Sequence, residues 1–195
     1  MARRRYPVKK RELTKVNDLK RPNLNVDLII DTRETIPWDF SKMKMPRYFN
    51  IQNIYYDKLD YGDYSIVGYD VPSSVSGEFG IIVERKRTME EFIGNILSDT
   101  NWNRFKRVAE GMSNYRHKTI IIEDDLRDAY KRYRDRKGPS KYFSVPPEFI
   151  SSRIGELRTR WGIDVFFASD LYLAKRHALD IFKFGVWEDM KHDCY

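Results

Sequence analysis

Cysteine is almost missing from this chain of 195 residues: the single one, Cys194, stands next to the last position. One thiol can form neither an intramolecular disulfide framework nor a cysteine-based zinc site, which leads to the expectation of an intracellular protein. Histidine is nearly as scarce, and His117, His177 and His192 show no metal-ligand spacing, so surface or packing roles are expected for them. No apolar run approaches the roughly 18 residues of a membrane span, so no membrane partner is expected. Arg3, Arg4 and Arg5 follow Met1 almost at once with no apolar segment behind them, so no secretory signal is expected. No internal repeat is visible.

What is present is charge on a sufficient core. Hydrophobic residues make up 41% and charged residues 33% of the chain, as in a globular domain with a heavily charged surface. The net charge of +7 is unevenly placed. Within residues 1–22, nine bases (Arg3, Arg4, Arg5, Lys9, Lys10, Arg11, Lys15, Lys20, Arg21) face only Glu12 and Asp18, which accounts for the whole surplus. A basic arm on a neutral body points to a polyanionic partner; a solubilising tail or a localisation signal are the other readings. The expected organisation is an arm at 1–24, flexible until bound, one domain at 25–187 and a tail at 188–195.

Within that domain, Val26 to Ile30 reads as a buried strand ending at Asp31. Extended segments follow at 51–59, 65–69 and 79–84, with the turn Tyr61-Gly62-Asp63-Tyr64 between the first two. Thr88-x-x-Glu91 is a capping box that opens a helix bearing Phe92, Ile93, Ile96 and Leu97. Phe105, Val108, Ala109 and Met112 mark a second helix, and 119–122 a buried strand. Residues 125–134 read as a helix, 136–147 as a loop, and a helix striped by Ile150, Ile154, Leu157 and Trp161 comes next. Pro147 fits the first turn of that helix. A strand at 163–168 and a helix at 170–184 complete an α/β arrangement, a central mixed β-sheet flanked by helices on both faces.

Three acids fall at corresponding places: Asp31 at a strand end, Asp63 in a glycine turn entering a strand, and Glu84 at the end of Gly80-Ile81-Ile82-Val83. Strand ends on one sheet edge can gather such residues, and converging carboxylates make a hard oxygen site suited to Mg²⁺ or Mn²⁺. Lys86 stands two residues beyond Glu84, so in extended chain both side chains point the same way. A metal-bound water beside an ammonium is the equipment of phosphodiester hydrolysis.

Asp31-Thr32-Arg33-Glu34, Gly62-Asp63-Tyr64 and Val83-Glu84-Arg85-Lys86 together resemble the nuclease domain of the XPF family of structure-selective endonucleases, within the restriction-endonuclease-like fold. Ile93-Gly94-x-Ile96, Asn103-Arg104-Phe105 and Lys118 to Glu123 extend the likeness, which covers about residues 26–123 well and 147–184 in pattern. The resemblance implies a metal-dependent DNA endonuclease that leaves 5′-phosphate and 3′-hydroxyl ends. Asp63 and Glu84 would hold Mg²⁺ or Mn²⁺, with Asp31 either assisting as a ligand or orienting water, and the Arg85 carbonyl completing the shell. Lys86 would orient or polarise the attacking water. Arg33 and Glu34 would pair with each other across the site, and the Arg85 side chain would be exposed for an ion pair or a phosphate. Glu90 stands where the family usually has aspartate; Glu91 is assigned to the capping box alone.

The family's helix-hairpin-helix modules do not follow here, so a stand-alone form is expected, of a kind associated with phages and mobile elements. Residues 124–146 read as an insertion. Its Lys131, Arg132, Arg134, Arg136, Lys137 and Lys141, interleaved with aromatics, are expected to contact DNA, as are Arg104 and the arm. The last helix region would pair two copies into a homodimer. A non-catalytic DNA-binding or scaffolding subunit is the competing reading; retention of the acids and Lys86 favours the enzyme.

Overall fold

The computed structural model of the chain describes residues 23–72, 80–135 and 145–192. Arg3, Arg4, Arg5, Lys9, Lys10, Arg11, Arg136, Lys137 and Lys141 lie outside the described residues, so the expectations placed on them do too. Among the described residues, six strands form one sheet: β1 (Leu24–Asp31), β2 (Phe49–Asp57), β3 (Tyr64–Ile66), β4 (Ile81–Lys86), β5 (His117–Ile122) and β6 (Asp164–Phe167). Their order is β2-β1-β3-β4-β5-β6. β3 runs antiparallel to both β1 and β4, while β1 with β2, β4 with β5 and β5 with β6 are parallel. Five strands therefore end at one edge, and the reversed β3 begins there. That edge carries Asp31, Asp63, Glu84 and Lys86.

Alternation along the strands separates two apolar layers. Ile29, Ile82, Ile120 and Ile122 join the layer formed with α1 (Met89–Ile96), α2 (Asp99–Ser113) and α4 (Pro147–Trp161). Leu28, Ile30, Ile81, Val83 and Ile121 join the opposite layer, covered by α5 (Leu171–His192) and by Trp38 and Phe40 of the segment between β1 and β2. The short α3 (Leu126–Asp135) follows β5, with Lys131 exposed on it.

Two elements run past their expected limits. β4 continues through Glu84-Arg85-Lys86 because β5 pairs with it along its whole length, from Ile81↔His117 to Lys86↔Ile122. The ladder carries the charges inside the strand rather than after it. α5 extends to His192, beyond the domain limit expected at 187, because Trp187 is buried and Met190 packs on the same layer.

Candidate active site

The turn before β3 sets the geometry. Gly62 has φ +67, and a Cβ there would stand 2.5 Å from Ile82 Cγ1, so a residue without a side chain is needed. The next residue is tied to both neighbouring strands through its backbone. Asp63 N–H donates to the Val83 carbonyl and the Asp63 carbonyl accepts from Asp31 N–H, each at 2.8 Å. Its carboxylate Oδ2 accepts the backbone N–H of Arg85 at 2.7 Å. Burial, followed by the charge of Glu84, pushes the Asp63 carboxyl up to about 8 despite that hydrogen bond.

On β4 the direction of side chains alternates. Glu84 and Lys86 point to the face of α1, and Lys86 Nζ donates to Glu84 Oε1 at 2.7 Å. Burial alone would lower the Lys86 pKa, but the charge and hydrogen bond of Glu84, with the charges of Glu91 and Asp63, raise it on balance. Lys86 is therefore held as an ammonium, a donor rather than a base.

Glu91 meets this lysine as well, with Oε1 at 3.4 Å from Nζ. It does so while serving the start of α1: its N–H donates to Thr88 Oγ1 and its Oε2 accepts Arg87 N–H. Capping and contact with Lys86 thus fall on one residue, and the role of Glu91 beside the lysine is one that the capping-box reading missed.

Asp31 is fully buried, and both its oxygens are engaged. Oδ1 accepts Arg33 N–H and Nε at 2.7 Å each; Oδ2 accepts Arg33 Nη2 at 2.9 Å and Leu59 N–H at 2.7 Å. These bonds to Arg33 and Leu59 outweigh burial and hold its carboxyl below the usual carboxylate range. Arg33 pairs with Asp31 rather than with Glu34, because the turn after β1 folds its fork back onto the strand end. Its side chain remains 59% exposed and feels the charges of Asp63 and Glu84.

Arg85 departs furthest from expectation. Its side chain is buried on the other face of the sheet, not exposed, because its neighbours Glu84 and Lys86 occupy the first. There Nε and Nη2 donate to Glu123 Oε1 and Oε2 at 2.6 and 3.1 Å, and Glu34 lies 3.6 Å from Nη1. The guanidinium stands 5.2 Å from the Trp38 ring centroid, and the Trp38 indole N–H also donates to Glu123. In the sequence Glu123 stands out only as the end of the segment Lys118 to Glu123. The signal that found Glu84, an acid closing a buried apolar run, is present at Glu123 too.

The site thus brings Asp31, Arg33, Glu34, Asp63, Glu84, Arg85, Lys86, Glu91 and Glu123 around one sheet edge. Glu90 lies partly buried in the first turn of α1. Arg104 is exposed on α2. Arg132 and Arg134 fall on α3, but their side chains are outside the described residues. Among the described residues no group of three or more His, Cys, Asp or Glu side chains is gathered into a metal cage. The donor set nevertheless suits Mg²⁺, which binds through one or two carboxylates and keeps waters or substrate oxygens for the rest. Burial first, and then the charge of Glu84, disfavours a bare Asp63 carboxylate, and a divalent cation held by the two acids would favour it.

A mixed six-stranded sheet with helices on both faces and acids on one edge is the α/β arrangement expected of the restriction-endonuclease-like fold. The ERCC4 domain matches residues 30–177, and the chain belongs to that family, the XPF-type nuclease domains. The family is one of DNA endonucleases. Two solved structures are similar in fold: XPF from Aeropyrum pernix in complex with DNA (TM-score 0.48) and XPF from Aeropyrum pernix (TM-score 0.47), each at 20% identity. The matches cover 84% and 83% of this chain but 64% and 61% of those chains, so the chain spans less than two thirds of their length. No curated protein matches it. No helix among the described residues is long and apolar enough to cross a membrane.

Proposed function

We propose that the protein hydrolyses DNA phosphodiester bonds with the help of Mg²⁺ or Mn²⁺ held by Asp63 and Glu84. The carrying observation is the meeting of these two acids with the Lys86 ammonium at the edge where β1 and β4 end and β3 begins. Such an ion, when bound, lowers the pKa of a water and neutralises a phosphate oxygen. Lys86 orients the attacking water and stabilises charge developing on the phosphate. Glu84 and Glu91 hold that ammonium in place. Asp31, whose oxygens are taken by Arg33 and Leu59, acts by aiming Arg33 toward the substrate rather than as a ligand. The Arg85 backbone fixes the Asp63 carboxylate, and its carbonyl is available to the metal shell. Attack is in line and leaves 5′-phosphate and 3′-hydroxyl ends.

Duplex held by the basic arm, by Arg104 and by the bases of residues 131–141 would present a branched, nicked or junction strand to the edge. Pairing of two copies through α5 is supported by its exposed Leu171, Tyr172, Leu173 and Phe184. Purified protein incubated with labelled single-stranded, duplex, nicked, flapped and forked DNA, in Mg²⁺, Mn²⁺ or EDTA, tests the reading. Cleavage of at least one substrate that EDTA abolishes is expected; intact DNA throughout would refute it.

A further inference from the structure

Between Asp31 and Trp38 the chain leaves β1 and crosses the rim of the site, and one apolar side chain on it, that of Ile36, is 52% exposed. Exposed isoleucines are ordinary. This one differs in how its main chain is held. Ile36 N–H donates to Glu34 Oε1 at 3.0 Å, and its carbonyl accepts from Arg85 Nη1. Arg85 is itself anchored by Glu123, and the next anchor along the chain is Trp38 N–H on the buried Tyr64 hydroxyl at 2.9 Å. Trp38 stacks on the Tyr64 ring with centroids 4.4 Å apart. Pro37 further restricts the residue before it to extended backbone. An apolar side chain is thus presented to solvent on a backbone fixed at its amide, at its carbonyl and two residues on. The arginine that fixes it also holds the Asp63 carboxylate by its own N–H.

The surroundings specify the chemistry of what it meets. Glu34, the one acid between Ile36 and Arg33, is turned inward: it accepts from Ile36 N–H, lies 3.6 Å from Arg85 Nη1, and leaves its side chain only 11% exposed. Arg33, three residues before, is the exposed cation of the same segment. An exposed cation and a rigid apolar tip three residues apart on one segment match a strand whose phosphates alternate with apolar base faces. Inserted apolar side chains of this kind unstack base steps and kink duplex DNA.

Resting on the DNA endonuclease reading above, we propose that Ile36 is a wedge that packs against the bases beside the scissile phosphate and opens the step there, while Arg33 holds the adjoining phosphate. Its rigidity spares the ordering cost that a mobile loop would incur on binding.

The test uses the full chain and a forked duplex carrying 2-aminopurine at the branch point, titrated in EDTA so that binding is read without cleavage. Wild-type protein is expected to raise the fluorescence as the base unstacks. Ile36→Ser should lose that rise and bind about tenfold more weakly, as expected for losing a partly buried apolar contact. Ile36→Leu should retain both, and the melting midpoints of the two variants should match wild type. An undiminished rise and affinity in Ile36→Ser would overturn the wedge, as would no rise with wild-type protein, and both results leave the nuclease reading standing. An Ile36-dependent rise with a protein that cleaves no DNA in Mg²⁺ or Mn²⁺ would instead sink hydrolysis and support the wedge.

Discussion

Lys86 Nζ stands 2.7 Å from Glu84 Oε1, two residues back on the same strand and on the same face of the sheet. Neither residue can change without altering its partner's charge environment. Asp63→Ala, Glu84→Gln and Lys86→Ala should each lower cleavage by about a hundredfold or more, the scale of losing one group that stabilises the transition state. DNA affinity measured in EDTA should survive. Rate constants on an excess of labelled substrate check this, and full activity in any of the three would remove that residue from the site.

The raised pKa of Asp63 has a consequence for stability. A carboxyl whose folded value lies near 8, against an ordinary 3.8, binds a proton more tightly in the fold than in the unfolded chain. Its contribution is complete below about 3.8 and is lost as pH rises toward and through 8. Metal-free protein should therefore lose stability between roughly pH 4 and 8 through this group. Asp63→Asn should flatten that part of the profile, and Mg²⁺ should raise wild-type stability most at the alkaline end. Urea midpoints across pH, with and without Mg²⁺, measure it; parallel profiles for wild type and Asp63→Asn would count against the assignment.

Removing one partner of the buried Arg85–Glu123 pair should be costly. The two side chains are 4% and 12% exposed, so Glu123→Ala strands a guanidinium in the core at a cost of roughly 3–5 kcal/mol. Arg85→Met with Glu123→Leu should be milder than either single truncation, since no charge is left unpaired. Equilibrium denaturation of the single and double variants gives the comparison. A mild Glu123→Ala would mean that Glu34 suffices to hold the arginine.

Glu90 and Glu91 can be separated by kinetics. Glu91→Gln should impair turnover because its carboxylate reaches Lys86, and kcat of Glu90→Gln beside it tells the two acids apart. Loss of the helix-start contact should cost Glu91→Ala about 1 kcal/mol of stability in addition. An unchanged kcat in Glu91→Gln with a loss in Glu90→Gln would return the role to Glu90, the residue at the family's acidic position.

The basic arm should govern affinity without governing chemistry. A chain beginning near Leu24 lacks nine bases of residues 1–22 and should bind duplex more weakly, with a shallower salt dependence. The slope of log affinity against log salt changes by roughly 0.9 for each phosphate no longer neutralised. Cleavage at saturating DNA should persist. Equal affinity and slope in the shortened chain would assign the arm to localisation.

The sheet and most helices were legible in the sequence because each has one decisive local signal. β1 and β5 carry the apolar runs Leu28-Ile29-Ile30 and Ile120-Ile121-Ile122, the start of α1 is a capping box, and Gly62 marks the turn that only glycine fits. The pairing of Glu84 with Lys86 followed from a period of two. What stayed hidden depends on contacts between distant segments. Nothing near Arg85 in the sequence indicates that Glu123, 38 positions later, and Trp38 enclose its side chain. That both Asp31 oxygens are engaged could not be read either, because the fold-back of Arg33 onto them is a feature of one turn, not of composition. The limit of β4 was missed because charge argues locally for a strand end, while pairing with β5 extends it.

The residue-by-residue match of β4 to β5 makes this site intolerant of insertion. One extra residue between Val83 and Glu84 would reverse every side chain after it, sending Glu84 and Lys86 toward Trp38 and turning the Arg85 guanidinium toward α1. The protein would keep nearly all of its composition, its charge and most of its apolar layers, yet have an arginine where the Lys86 ammonium stands. The space left by Gly62 is filled by Ile82, so the packing before the motif also suits the present register. The ladder therefore fixes the count of residues from Ile81 to Lys86 in a way that it does not fix the connections outside it.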